Sequence, residues 1–417
     1  MVNKMKIKPE LLEKYAELAI RTGLNVQEGQ YVLIQASTEV NYFARLCVKE
    51  AYAAGARSVS VQWTDDQVSR LTYLNETAEE LETIAPWVLN RMSYQMEQKV
   101  ARLAIVSSPP GIMAGVDPEK LQRAMMAQQK EPIIQAFRQF SMANTSQWSI
   151  VAVPSVGWAE KVFPNDEDGF FKLFEAILKA CHVNLDNDPL ASWQEHNQRL
   201  HDQNEVLNKY NFKSLHFTNR LGTDLHVGLI KNHHWAGGSE IALNGVEFNP
   251  NMPTEESFTM PDRERVEGIV YASMPLAYSG RVVEDFWVKF EAGKVVDYDA
   301  KAHKEVLKEI VETDEGSSRL GEIALISHYS PISEMDILFF NTLFDENASC
   351  HMALGAAYPM NLKGSKAMSQ EELVEAGMNV SSQHVDFMFG TSDLKIVGET
   401  YDGQQIDVFV EGNFVLK

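Results

Sequence analysis

The sequence predicts an α/β architecture in two parts: an N-terminal open parallel α/β sheet domain, and a C-terminal β-rich α+β domain that carries the candidate metal ligands. Three observations predict it. Apolar strand-like runs alternate with segments of helical period through the first half. A polar helix opened by Asp188-Pro189 interrupts that pattern. Beyond Phe212 the texture changes to short alternating strands separated by Gly and Asn turns. The first pattern is that of βαβ units, and the last is that of sheets built from short neighbouring strands.

The helix over 9–22 carries Leu11, Leu12, Tyr15, Leu18 and Ala19 at helical spacing, and Gly23 follows as a C-cap. Residues 31–36 read as a buried strand and 41–54 as a helix closed by Gly55. Residues 58–63 read as the next strand, completing a βαβ unit. The runs 101–106 and 149–153 read as further parallel strands with helical segments between them. Asp188 suits an N-cap and Pro189 the first turn of a helix reaching about Tyr210. This helix is expected to connect the domains, and its polarity predicts that His196 and His201 are solvated. The expected division is 1–187, 188–211 and 212–417. Strands of the last part are predicted at 215–218, 224–227, 268–271, 281–288 and 406–410.

Composition narrows the function. A chain of 417 residues with 45% hydrophobic and 23% charged residues is an ordinary soluble globular sequence. Its net charge of -21 argues against nucleic acid and against anionic membranes as partners, and it attracts metal ions and the free amino groups of small peptides. No apolar run approaches the ~18 residues of a membrane span. The stretch Met1–Pro9 has basic residues but no apolar core behind them, so no signal peptide is expected there. Cys47, Cys181 and Cys350 are widely spaced and odd in number, which predicts free thiols in a reducing compartment such as the cytoplasm.

The common single-motif enzyme classes lack support. The first βα turn, Gln35-Ala36-Ser37-Thr38-Glu39-Val40, has no glycine for a dinucleotide. There is no phosphate loop ending in Lys-Ser or Lys-Thr, no His-Glu-x-x-His helix and no Gly-x-Ser-x-Gly elbow. The strongest local signal is His384-Val385-Asp386 within an apolar strand: residues two apart face the same way, so an imidazole and a carboxylate project together from a buried-looking segment. A buried carboxylate needs a partner or a metal. The run 344–358 adds Glu346, His351 and Tyr358 among small residues. Carboxylates and imidazoles without paired cysteines suit zinc, cobalt or manganese in a catalytic site.

Other segments are weaker by themselves. Residues 249–261 place Glu255 and Glu256 among three prolines, as a stiff ligand platform or as an acidic surface turn. Glu322 precedes an apolar run and reads alone as the start of a strand. His233 and His234 are neighbours and would face opposite ways. His328 reads either as a group behind the ligands or as exposed, and Cys350 reads as packing.

In order, Pro253-Thr254-Glu255-Glu256, Glu322, Asp345-Glu346-Asn347 with His351 and Tyr358, and His384-Val385-Asp386 resemble the aminopeptidase T family of dinuclear metallopeptidases, the AmpS and PepS type. The stretch from Tyr15 (Tyr-Ala-Glu-Leu-Ala-Ile-Arg-Thr-Gly-Leu-Asn) extends the resemblance over nearly the whole chain. The resemblance implies two divalent metal ions per subunit held by Glu256, Glu322, Glu346, His351, His384 and Asp386. Glu322 would be shared between the ions, Glu256 would double as proton acceptor, and Tyr358 would stabilise the tetrahedral oxyanion. It implies a homodimer and an aminopeptidase acting on short peptides with a free N-terminus. A different class, a non-catalytic α/β small-ligand or calcium-binding protein, is the alternative. Two imidazoles and the lack of an all-oxygen cage weigh against calcium.

Overall fold

The computed structural model describes residues 7–278 and 280–417. The stretch read as lacking a signal peptide lies mostly outside them, at residues 1–6. The architecture is mixed α/β, with one parallel sheet and several antiparallel ones. The chain divides into two compact units, Met1–Gln194 with Ser239–Pro253, and Glu195–Gly238 with Thr254–Lys417.

In the first unit, strands Ser58–Thr64, Tyr31–Ser37, Ala101–Val106 and Trp148–Ala152 lie side by side in that order, all parallel. Each rises from an apolar run, and Ile34, Leu103 and Val151 are fully buried. The first helix spans Pro9–Leu18 and continues as a π-helical turn, Ala19–Gly23. Gly23 serves close approach, because a Cβ there would meet Met252 Sδ at 2.7 Å. Gly55, at φ +96, closes the helix Asn41–Ala53 in the left-handed conformation expected of a residue just past a C-cap.

The helix Pro189–Tyr210 starts where Asp188 Oδ1 accepts the N–H of Leu190 at 3.0 Å. Its His196 is not solvated: it is 4% exposed and its Nε2 lies 2.7 Å from Thr254 O. A polar helix surface disguises such a residue, because its partner is a backbone carbonyl distant in sequence.

Two antiparallel sheets build the second unit. Among the described residues, nine strands form the larger one, with Ser214–Thr218 between Asp224–Leu229 and Lys395–Glu399. The smaller sheet runs Ser257–Thr259, Leu320–Leu325, His351–Gly355, His384–Met388. Its two faces differ in kind. Ile323, Leu325, Met352, Leu354, Val385 and Phe387 join one buried hydrophobic core with Phe217, Leu225 and Phe286 of the larger sheet. Glu322, His351, His384 and Asp386 point the other way. A one-residue slip would put four ionisable groups into that core, so burial fixes the register.

Gly355 pairs with His384 and sits at φ +116, where a Cβ would lie 2.1 Å from Gln383 O. Gly355→Ala is therefore expected to lower the unfolding free energy by about 2–3 kcal/mol. A urea midpoint shift at unchanged slope would report it, and an unchanged midpoint would show that the edge strand gives way without strain.

Candidate metal centre

Register brings the ionisable groups together. Glu322 and Asp386 both pair with Ala353, from opposite sides. His351 pairs with Ala324 on one side and Met388 on the other. Apart from His351 itself, the ligand face of the central strand holds the small residues Ala353 and Gly355, which leave room above the sheet for longer side chains to converge from its neighbours. Glu256 arrives from the residue just before the strand Ser257–Thr259.

Two triads result. Glu256, Glu322 and His351 offer one ligand atom each within 4.8 Å of one another, and so do Glu322, His384 and Asp386. Glu322 belongs to both. Its Oε1 is 3.5 Å from His351 Nε2 and its Oε2 is 3.7 Å from His384 Nε2. Glu256 Oε2 lies 3.2 Å from His351 Nε2, and Asp386 Oδ1 lies 3.2 Å from His384 Nε2. Donors around a tetrahedral ion with bonds near 2.0–2.1 Å stand roughly 3.3 Å apart, so these separations suit a shared cation.

The ring orientations agree. His351 Nδ1 lies 3.2 Å from Ser349 O, and His384 Nδ1 lies 2.7 Å from Ala356 O. A neutral ring that donates from Nδ1 leaves the Nε2 lone pair facing the carboxylates, the tautomer a metal requires. Asp386 Oδ1 is buried and makes no hydrogen bond. Its one close partner is His384 Nε2, and a buried carboxylate oxygen with no other partner suits a cation.

Electrostatics carry the same message. Burial raises the Glu322 carboxyl, partly opposed by His351. Glu346 is raised well above the carboxylate range by burial and by the charges of Asp386 and Glu256. At His384 burial alone would lower the imidazole, but Asp386 and Glu322 outweigh it and push it up to about 10. His351 is raised in the same way by Glu256 and Glu322. Asp386 is held low, against its burial, by His384. Charge this crowded calls for neutralisation, and divalent ions held there would keep the carboxylates ionised and the imidazoles neutral.

Glu346 stands outside both triads and lines, with Asp386, Leu276, Ala277 and Met388, a small pocket. The Tyr358 ring is 4.9 Å from that of His384 and 6.2 Å from that of Phe258. Tyr358 is 38% exposed, but its hydroxyl end is desolvated and faces the Glu322 and Asp386 charges, which raises the phenol and keeps it a hydrogen-bond donor at neutral pH. Glu255 and Glu256 are 7% and 9% exposed, so the proline-rich segment is no surface turn.

Two residues outside the sequence expectation hold that segment. Asn347 Oδ1 accepts the Glu255 N–H at 2.7 Å while its Nδ2 donates to Leu343 O at 3.1 Å. His196, with Arg199 Nη2 at 2.9 Å from its Nδ1, donates from Nε2 to Thr254 O. The preceding Asp345 carboxylate is spent on the N–H groups of Phe339 and Asn341, at 2.7 and 2.9 Å. His328 packs on Tyr329, and His233 turns its Nδ1 to Ile230 O; neither belongs to a triad.

Comparison with known proteins gives a consistent result. Residues 8–414 match the family model described as thermophilic metalloprotease (M29). Aminopeptidase AmpS of Bacillus subtilis is 44% identical over 405 residues, 97% of this chain and 98% of that one. Aminopeptidase T of Thermus aquaticus is 41% identical over 411 residues, 98% of this chain and 99% of that one. The structure of wild-type AmpT from Thermus thermophilus superposes with a TM-score of 0.90 at 39% identity, covering 98% of this chain and all of that one.

Cys350 adjoins His351 but is buried, with its Sγ 3.3 Å from Ile326 O, and burial pushes its thiol up to about 12. It is a packing group, not a thiolate nucleophile. Cys350→Ala is expected to cost about 1–2 kcal/mol of stability and to leave turnover per folded molecule within ~2-fold. A folded, metal-loaded but inactive Cys350→Ala protein would restore the thiol to the chemistry.

Proposed function

Because the chain belongs to the thermophilic metalloprotease family M29 and is a metal-dependent aminopeptidase, we propose that it cleaves short peptides at a two-metal centre. The centre is held by Glu256, Glu322, Glu346, His351, His384 and Asp386. One observation carries this reading: the two oxygens of Glu322 face different imidazoles, one in each triad. A carboxylate so placed is suited to bridge two ions and limit their mutual repulsion. Charge supports the count. Glu256, Glu322, Glu346 and Asp386 carry a formal -4 when ionised, which two divalent ions cancel and one does not. Imidazole and carboxylate donors suit zinc, cobalt or manganese, and the imidazoles argue against the calcium-binding alternative.

When bound, the ions supply Lewis acidity at the scissile carbonyl and bring the pKa of water towards neutrality. The chain's own groups do the rest. Glu256, the member of the first triad that comes from outside the regular ladder, accepts the proton that the attacking water gives up. Tyr358 donates a hydrogen bond to the oxygen that gains charge in the tetrahedral state. The carboxylate-rich cluster, in a chain of net charge -21, holds the α-amino group and thereby sets the register at the first peptide bond. Three free, buried cysteines suit a cytoplasmic enzyme, and the family resemblance supports assembly as a homodimer.

Dialysis against a chelator should abolish hydrolysis of an amino-acid arylamide, and added zinc, cobalt or manganese should restore it. Glu322→Gln keeps the size and removes the charge. Its expected outcome is a folded protein that loses metal and at least ~100-fold in kcat/KM, about 2.7 kcal/mol. Near-normal turnover in that variant would return Glu322 to a purely structural role. Acetylating the substrate's amino group should slow cleavage at least ~100-fold. Comparable kcat/KM for the acetylated and free peptides would overturn the placement of the α-amino group in the cluster.

A further inference from the structure

The pattern that singles out His384-Val385-Asp386 occurs a second time. Asp224-Leu225-His226 lies on the strand Asp224–Leu229 of the nine-stranded sheet, with Leu225 and Val227 buried and Asp224 and His226 exposed on the opposite face. His216, on the strand Ser214–Thr218, lies directly across from His226. The Leu229 N–H donates to Lys213 O, so the 213/229 pair is of the hydrogen-bonded kind. Alternation along the ladder then makes 216/226 a non-hydrogen-bonded pair, the kind that brings side chains closest.

The side chains have converged. The two imidazoles stack with centroids 3.8 Å apart and planes 10° from parallel. His216 Nε2 lies 2.7 Å from Asp224 Oδ1. One donor atom from each of the three residues falls within 4.8 Å of the others. To share one tetrahedral ion the two rings must turn out of their parallel stack, so that one nitrogen of each points at the ion. Glu267 pairs with His226 from the other neighbouring strand and adds a carboxylate-bearing residue beside the trio.

We propose that His216, Asp224 and His226 form a second metal site, sharing no residue with the catalytic cluster, that takes one transition-metal ion of the zinc, nickel or copper class. Two imidazoles with one carboxylate select these ions over calcium and magnesium. Three protein donors on an exposed strand pair leave the remaining coordination position to water. Metal analysis of the enzyme would then overcount the ions needed for catalysis whenever zinc is supplied in excess.

The test is zinc binding to the full chain by equilibrium dialysis with metal analysis, and by calorimetry, for wild type, His226→Ala, His226→Gln and Glu322→Gln. His226→Ala and His226→Gln should each lose one zinc per chain relative to wild type, with affinity at that site weakened at least ~100-fold, and should hydrolyse peptides at the wild-type rate. Glu322→Gln should retain that zinc while losing activity. With copper(II), the wild-type spectrum should show nitrogen coupling that His226→Gln weakens. Equal zinc uptake by wild type and both His226 variants would overturn the proposal. So would a loss of zinc that takes turnover with it, since the ion would then belong to the catalytic cluster.

Discussion

Like charge held in a confined space is the constraint on which the second unit depends. Four carboxylates gather around two imidazoles above one small sheet, and folding brings them there only because the opposite face of the same strands is an apolar core. Alternation along the strand ties the two together: Ile323, Met352, Leu354, Val385 and Phe387 cannot be buried without aiming Glu322, His351, His384 and Asp386 at one another. The core thus provides the free energy that assembles an otherwise repulsive cluster, and a divalent cation relieves what remains.

The surroundings adapt the strands to that demand. Ala353 and Gly355 keep the central strand low between its neighbours, and Gly355 adopts a backbone conformation closed to other residues. Glu256 comes from outside the regular ladder, so its position must be fixed separately. Asn347 and His196 do this by holding the backbone of Glu255 and Thr254. Neither belongs to the two triads that share Glu322, and both position the segment that delivers Glu256.

The sequence made much of this legible where a short-range rule applied. Short apolar runs reveal the strands of the first unit and period-two alternation those of the second, and the two-residue spacing of His384 and Asp386 on an apolar strand announces a shared face. Glu322 was different. A lone glutamate at the start of an apolar run has no local signature; the resemblance of the ordered motifs singles it out, and its pairing with Ala353, a residue remote in sequence, sets it between the triads. His196 was misjudged because helix polarity reports the average surface and not one buried partner. The Asp224-Leu225-His226 spacing was visible as a strand, but its third member, His216, became apparent only through register. Positions decided by local periodicity were readable; positions decided by strand pairing at long sequence separation were not.

The most direct test of the central claim, that Glu322 is shared by two ions, is anomalous diffraction at the absorption edge of the metal in the active, metal-loaded enzyme. Two peaks about 3.5–4 Å apart, one near Glu256 and His351 and the other near His384 and Asp386, with the Glu322 carboxylate between them, are the expected result. A single peak in fully active crystals, or two peaks that Glu322 does not join, would contradict it.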